Sequence, residues 1–143
     1  MDAYKVLLGE ILIQRKRITR EQLDQALQVQ KQKGGFIGEI IVGLGLLDER
    51  DIVVALVIQC GLPYIAVNKY AIDPAIVRLI SKEVAQKEKI IALDRIGEIL
   101  SVVMVNPLTD EKKQYLETLT QCRVATFIST KAEIEEAIIR NYW

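Results

Sequence analysis

The apolar positions of residues 7–59 follow one pattern twice. The first copy starts Leu7-Leu8-Gly9-Glu10-Ile11-Leu12-Ile13 and ends on Gln30, and the second starts Phe36-Ile37-Gly38-Glu39-Ile40-Ile41-Val42 and ends on Gln59. The offset is 29 residues throughout, so two 24-residue copies, 7–30 and 36–59, flank a five-residue spacer. A repeat of this length indicates one supersecondary unit used twice, in which neither copy buries its apolar face alone. We therefore expect the two copies to pack against each other.

Each copy predicts two helices joined by a turn, the first opened by a glycine. Thr19 begins the second helix of copy one, and Gln22 completes a capping box. Asp48 and Asp51 occupy the equivalent positions in copy two, where a carboxylate also favours the positive end of the helix dipole. The apolar residues of copy one keep the three-and-four spacing of one helix face. Because residues 52–58 are all apolar, we expect the last helix to be covered on most sides.

The pattern changes after residue 63. Gly61 ends the last helix of the repeat and Pro63 prevents its continuation, so 64–67 is expected to be extended. This change predicts an all-helical tandem-motif subdomain over residues 1–63 and a small α/β subdomain over residues 64–143. The second part is predicted to begin with short helices capped by Asp73 and Ser81. Two strands over 89–93 and 99–105 follow, joined by a hairpin over 94–98. The remaining predicted elements are a helix from Thr109 or Asp110 to about Leu119, a strand over 123–128 and a closing helix capped by Thr130. The predicted fold class is α+β with about three strands.

Composition narrows the classes of function. The chain has 143 residues, of which 50% are hydrophobic, so it can build a core. Its 19 basic and 19 acidic residues cancel, and no global field attracts nucleic acid or anionic membrane. The longest apolar run of the repeat, 52–58, is too short to span a bilayer, so no membrane insertion is expected. The chain has no histidine, which excludes the usual zinc sites and histidine-based triads, and we predict neither metal nor cofactor.

The two cysteines and the start of the chain bear on location. Cys60 and Cys122 are far apart and form no metal-binding spacing, so we interpret them as buried thiols in a reducing compartment. Residues 1–4 lead directly into the repeat with no charged and apolar leader before it. We therefore expect a cytoplasmic protein.

The sequence predicts no catalytic reaction of phosphate groups, but phosphate binding remains open. The Walker A pattern is absent, so we expect no hydrolysis of nucleoside triphosphates. The sequence also shows no nucleophile–base pair and no metal-binding set, so we expect no enzyme activity. Gly43 and Gly45 are interpreted as helix-terminating glycines. The one local basic patch consists of Arg15, Lys16, Arg17 and Arg20, beside the helix start at Thr19, where phosphate is favoured.

Some polar side chains of the repeat remain open to interpretation. Gln30 and Gln59 each end an apolar face, and both structural hydrogen bonds and ligand contacts remain open for them. Glu10 occupies the same repeat position as Glu39, and both are interpreted as solvated helix-face residues.

The repeat resembles the N-terminal domain of type II secretion and type IV pilus assembly ATPases, called the MshEN or GspE N-terminal domain. That family carries two such motifs at the same spacing, which bind the second messenger cyclic di-GMP. The resemblance implies a first half-site formed by Leu8, Gly9, Leu12, Ile13, Leu23, Leu27 and Gln30, and a second formed by Ile37, Gly38, Ile41, Val42, Gly45, Ile52, Leu56 and Gln59. Apolar side chains would cover guanine and ribose, glycine N–H groups would approach phosphate, and the glutamines would supply directional hydrogen bonds.

The charged part of the motif departs from the family. The leading arginine is Leu7 in copy one and Phe36 in copy two, and the internal glycine of copy one is Lys16. Each charge-assisted hydrogen bond lost with the arginine is worth about 1.5 to 3 kcal/mol. Arg15 or Lys16 could replace the charge, and Phe36 could stack on a base.

Two functions follow from the resemblance. The first is a non-catalytic regulatory domain that binds cyclic di-GMP across both motifs. The alternative is a ligand-independent interaction module that docks a secretion or pilus assembly protein at the inner membrane through Phe36 and the basic patch. Family members carry this domain ahead of a catalytic ATPase module. Residues 1–143 include no such module, which leaves a free-standing adaptor or a fragment of an ATPase as alternatives.

Overall fold

A computed structural model describes the backbone of residues 3–142 and the side chains of residues 8–58 and 61–142. The chain divides into two compact units, Met1–Gly61 (unit 1) and Leu62–Trp143 (unit 2). Unit 1 is helical, and unit 2 combines short helices with a three-stranded sheet. The predicted α+β fold class is confirmed.

The helices of unit 1 interleave the two copies of the repeat. They are α1 (Ala3–Gln14), α2 (Arg20–Lys33), α3 (Ile37–Gly43) and α4 (Glu49–Cys60). α1 of copy one packs against α4 of copy two, and α2 packs against α3. The expectation that the copies bury each other is confirmed.

The predicted capping box of copy one is present, and copy two has the same arrangement at the equivalent positions. The Thr19 hydroxyl accepts a hydrogen bond from Gln22 N at 3.1 Å, and Gln22 Oε1 accepts one from Thr19 N at 2.9 Å. In copy two, Asp48 Oδ1 accepts from Asp51 N at 3.0 Å and Asp51 Oδ2 accepts from Asp48 N at 3.2 Å. Each box satisfies two N–H groups at the start of the helix, which explains why α2 and α4 begin at equivalent positions.

Two details of unit 1 differ from the predictions. Gly9 does not open a helix, because α1 already begins at Ala3. α4 is not covered on most sides, since Val54 and Ile58 are exposed. Its buried residues are Ile52, Ala55 and Leu56, which keep the three-and-four spacing of a single helix face.

Unit 2 is organised around one mixed sheet. A 3₁₀ turn (Val67–Lys69), α5 (Pro74–Val77) and α6 (Lys82–Glu88) precede β1 (Ile90–Ile96), β2 (Ile99–Met104), α7 (Asp110–Thr120), β3 (Arg123–Ile128) and α8 (Lys131–Asn141). The strand order is β1-β2-β3, with β1 antiparallel and β3 parallel to β2. The predicted caps Asp73, Ser81, Thr109 and Thr130 each accept a hydrogen bond from the first turn of their helix.

The hairpin and the segment before it depart from the predictions. β1 continues to Ile96 and β2 starts at Ile99, so the connection is only two residues and the predicted loop 94–98 is wrong. Gly97 supplies the positive φ of +61° that so tight a turn needs. Residues 64–67 were expected to be extended, and only the start of this segment pairs as a strand does. Tyr64 forms a parallel bridge with Ile128, whereas Val67 is the first residue of the 3₁₀ turn.

The core of unit 2 lies between the sheet and its helices. α5, α6 and α8 pack against β1, and α7 packs against β3. The Tyr142 hydroxyl lies 2.7 Å from Ile80 O and 3.0 Å from Val77 O, and burial raises the pKa of Tyr142 to about 12. The Cys122 thiol is buried and unbridged, as expected, and the Cys60 side chain lies outside the described residues. Among the described helices, none has the length and apolar character to cross a bilayer.

Candidate functional site

Most apolar side chains of the two predicted half-sites lie in the core of unit 1. Each is less than a tenth exposed, so they pack within the unit and present little surface to a ligand. The residues in this group are Leu8, Leu12, Leu23, Ile37, Ile41, Ile52 and Leu56. Gly9 and Gly38 are buried with them. These residues can support a binding surface by holding the helices that carry it.

A smaller set of predicted site residues reaches the surface. Leu27 is 37% exposed although Leu56, at the same repeat position, is fully buried. Ile13, Val42, Gln30 and Phe36 are half-buried, and Gly45, Arg15 and Lys16 are exposed. The side chains of Leu7 and Gln59 lie outside the described residues. The accessible part of the candidate site is therefore this mixed apolar and polar subset.

Gly9 has a packing role that the motif alone does not reveal. A Cβ atom at this position would lie 2.8 Å from Leu23 Cδ2 and 2.9 Å from Leu23 Cδ1. The glycine therefore leaves room for the Leu23 side chain of α2 against the backbone of α1. Because Gly9 lies in the interior of α1, its N–H belongs to the hydrogen-bond ladder of that helix.

The turn between the two helices of each copy is the same Schellman motif. Lys16 N donates to Ile13 O at 2.9 Å, and Gly45 N donates to Val42 O at 2.9 Å. In each copy the next residue donates to the carbonyl five positions before it, at 2.9 Å in copy one and 3.2 Å in copy two. This pair of bonds requires a left-handed residue, which is Lys16 (φ +58°) in copy one and Gly45 (φ +76°) in copy two. The predicted role of Gly45 after the helix end is confirmed.

Exchanging the residue types at these two positions should move stability in opposite directions. Lys16→Gly is expected to raise the free energy of unfolding by about 1 kcal/mol, since a left-handed L-residue costs roughly 1–2 kcal/mol. Gly45→Lys is expected to lower it by a similar amount, because no atom lies within 4 Å of an added Cβ and only backbone strain counts. Urea unfolding of both variants measures this. An unchanged or lower stability of Lys16→Gly would mean that the lysine side chain compensates for its backbone conformation.

Two of the four cations in the basic patch form ion pairs within unit 1. Arg17 pairs with Asp51, which joins the turn of copy one to the start of α4. Arg20 pairs with Glu10 at 2.9 Å, and the hydrogen bond between these side chains raises the pKa of Arg20. Glu10 is therefore an ion-pair partner as well as a solvated residue. Arg15 and Lys16 form no ion pair with any residue that the structure describes, so they are the cations available to an anionic ligand.

The amide of Gln30 uses one of its hydrogen bonds inside the repeat. Gln30 Nε2 donates to Gly35 O at 2.9 Å, which fixes the spacer before α3. Phe36 follows as the N-cap residue of α3. We call Gln30, Gly35 and Phe36 the α2–α3 junction. Gln30 thus has a structural hydrogen bond, and its Oε1 and second N–H can still bind a ligand.

The arrangement supports binding chemistry. Among the described residues, no group of three or more His, Cys, Asp or Glu side chains could hold a metal ion.

Unit 2 has a shallow depression that was not predicted from the sequence. It is lined by Glu111, Gln114, Tyr115, Thr118 and Leu119 on α7. The signal that could have revealed it is the four-residue spacing of Tyr115 and Leu119, which lie beside the buried Leu116 on a largely polar helix.

Comparison with known families adds a decisive observation. The sequence model of the MshEN domain matches residues 60–142, more than half of the chain. The chain belongs to the MshEN domain family. The match covers unit 2 and the last residue of α4, so most of the tandem repeat lies outside the matched residues.

Two proteins are similar to this MshEN family member over 94% of its length, which includes most of the tandem repeat. The type IV pilus assembly ATPase PilB of Myxococcus xanthus is 33% identical over 135 residues, covering 94% of this chain. PilB of Thermus thermophilus is 31% identical over 137 residues, also covering 94% of this chain. The chain spans only 24% and 15% of the lengths of these relatives.

Solved structures support the same assignment to the MshEN family. The structure of MshE with cdg is 25% identical, covers 94% of this chain and 98% of the MshE chain, and superposes with a TM-score of 0.76. The N-terminal domain of XpsE superposes with a TM-score of 0.81 over 100% of this chain and 99% of its own at 17% identity, which shows a shared fold. A second crystal form of that domain gives a TM-score of 0.66 at 20% identity.

Proposed function

We propose that this chain is a non-catalytic regulatory domain that binds cyclic di-GMP through the tandem copies in residues 7–59. The observation that carries the proposal is the likeness to the structure of MshE with cdg, which covers 94% of this chain and therefore includes most of the repeat. On this proposal residues 1–63 form the ligand-binding domain and residues 64–143 form its platform. The domain would act in the cytoplasm within a pilus or secretion ATPase.

The symmetry of the ligand fits the symmetry of the repeat. Cyclic di-GMP consists of two identical guanosine monophosphate halves, and unit 1 contains two copies whose helix caps and left-handed turns match at an offset of 29 residues. Each copy can therefore offer the same backbone geometry to one half of the ligand. The fully buried motif residues would hold that geometry, and the accessible ones would touch the nucleotide.

The accessible residues supply the contacts that such a ligand needs. Ile13, Val42 and Leu27 offer partly exposed apolar surface to guanine and ribose, and Phe36 can stack on a base. The remaining hydrogen-bonding positions of Gln30 suit a guanine edge. Arg15 and Lys16 would neutralise phosphate in place of the arginines that Leu7 and Phe36 replace.

Isothermal titration calorimetry with cyclic di-GMP tests the proposal. We expect saturable heat, and we expect Gln30→Ala to weaken binding by about tenfold, the equivalent of one hydrogen bond. Gln32→Ala is the matched control, because Gln32 is an exposed amide on the same helix outside the motif, and its affinity should be unchanged. Absence of heat at high micromolar ligand, or equal affinity of wild type and Gln30→Ala, would contradict the proposal.

The alternative is a ligand-independent interaction module for a secretion or pilus assembly protein. Two observations favour it: both leading arginines of the motif are absent, and Arg17 and Arg20 are already paired within unit 1. On this alternative Phe36 would be an anchor for the partner. Capture of such a partner without cyclic di-GMP, lost in Phe36→Ala, would support it, and capture that is indifferent to this substitution would exclude Phe36 as the anchor.

A further inference from the structure

One face of the sheet in unit 2 is open near the hairpin. Strand register places Ile96 beside Ile99 and Asp94 beside Ser101, and it places Ile99 beside Arg123 and Ser101 beside Ala125. Paired residues point to the same face of a sheet. We call this set the open sheet face: Asp94, Ile96, Ile99, Ser101, Ala125 and Arg123.

The centre of the open sheet face is apolar and unusually exposed. Ile96 is 75% exposed and Ile99 is 49% exposed, whereas Ile91 and Val103, further along the same face, are fully buried. Single exposed apolar residues are common, but two that pair directly across neighbouring strands form a contiguous patch. Such a patch can form the apolar centre of a contact with another molecule.

The charges at the rim have opposite signs on opposite edges. Asp94 lies on β1 and Arg123 lies on β3, on either side of the central strand β2. Both are exposed, and neither forms an ion pair with another residue in the described part of the chain. Asp94 Oδ1 accepts a hydrogen bond from Arg95 N at 2.8 Å, which leaves Oδ2 able to face a partner. The face therefore has one carboxylate at its β1 edge, one guanidinium at its β3 edge and apolar side chains between them, and Glu98 and Glu117 line a depression together with Arg123.

This charge pattern is self-complementary. A two-fold axis parallel to β2 and above the face would bring Ile99 against Ile99 of a second copy and β1 over β3 of that copy. Asp94 would then lie about 7 Å along the strand and about 10 Å across the two facing sheets from Arg123 of the second copy, a separation that both side chains span only when they extend toward each other. The symmetry forms this ion pair twice. We propose that the open sheet face binds the same face of a second copy of this chain, an association that involves unit 2 and does not depend on cyclic di-GMP.

The small size of the face implies a weak association. Six residues per copy are far fewer than the roughly 20–30 residues a side of a standard interface, so we expect a dissociation constant on the order of 10 µM to 1 mM. Sedimentation velocity of the full chain without ligand, from about 10 µM to about 1 mM, should show a concentration-dependent shift from monomer to dimer. A chain that stays monomeric over this range overturns the proposal.

A matched pair of isoleucine substitutions locates the contact. Ile96→Gln is expected to weaken the dimer by about tenfold, because it removes apolar surface at the centre of the interface. Ile139 on α8 is 76% exposed, which matches the exposure of Ile96, but it lies outside the open sheet face. Ile139→Gln should leave the association unchanged. Equal effects of the two substitutions would overturn the proposal.

Charge reversal tests the two-fold geometry itself. In Asp94→Arg the two copies would present arginine to arginine, and in Arg123→Asp aspartate to aspartate, so neither variant should dimerise alone. An equimolar mixture of the two variants restores opposite-charge pairing and should dimerise more strongly than either variant alone. Both positions are exposed, and unchanged unfolding midpoints would verify the fold. A mixture that stays monomeric, or either variant that dimerises alone, overturns the proposal.

Discussion

Leu56→Ala is expected to lower the free energy of unfolding by about 2–5 kcal/mol, whereas Leu27→Ala is expected to lower it by about 1 kcal/mol or less. The two leucines occupy the same repeat position, so the substitution and the local helix environment are matched. They differ in burial, because Leu56 is fully buried and Leu27 is 37% exposed. Urea unfolding monitored by circular dichroism measures both values.

This pair separates support of the fold from contact with a ligand. Leu27→Ala should leave a folded protein in which a loss of nucleotide affinity reports a lost contact. A loss of affinity in Leu56→Ala would instead follow from the loss of stability. Equal destabilisation by the two substitutions would show that the copies are equally buried in solution, contrary to the structure.

Gly9→Val is expected to lower the free energy of unfolding by about 1–3 kcal/mol through overpacking. Its Cβ would lie 2.8 Å from Leu23 Cδ2, so the added atoms would displace the buried Leu23 side chain from its position. In the double variant with Leu23→Ala the clashing atoms are absent. The double variant should therefore be more stable than the sum of the single effects predicts, by about 1 kcal/mol or more.

Gly43→Val is the control for Gly9→Val. Gly43 is the last residue of α3, it is exposed, and no atom lies within 4 Å of an added Cβ, so its substitution should be nearly neutral. Unfolding curves of the wild type, the two single variants and the double variant complete the thermodynamic cycle. Strict additivity of Gly9→Val and Leu23→Ala would mean that Gly9 is not required for the packing of Leu23 against α1.

The features that the sequence predicted well are those determined by local hydrogen bonds and by the repeat. Thr19 and Asp48 begin their helices as predicted, because a cap needs only the residues of its own first turn. The repeat predicted the packing of the copies, since neither apolar face can be buried alone. The left-handed conformation of Lys16 was not predicted from its residue type, although Gly45 at the equivalent position carried the signal.

The candidate site was less predictable for physical reasons. The same apolar residues serve a helix core and a binding surface, and periodicity cannot distinguish Leu56 from Leu27. The ion pair of Arg17 with Asp51 joins residues 34 positions apart and depends on the tertiary arrangement. The hairpin loop was predicted too long, because strand propensity does not show that the ladder of β1 continues as far as Ile96.

Nuclear magnetic resonance of the full chain during titration with cyclic di-GMP tests the central claim most directly. If the two copies form one site, amide resonances should shift in both copies, in pairs separated by 29 residues around the turns at Lys16 and Gly45, and at Gln30 and Phe36 in the α2–α3 junction. Amides of the sheet in residues 90–128 should remain unshifted. Shifts confined to one copy, or no shifts at saturating ligand, would contradict the proposal that the tandem repeat is a single cyclic di-GMP site.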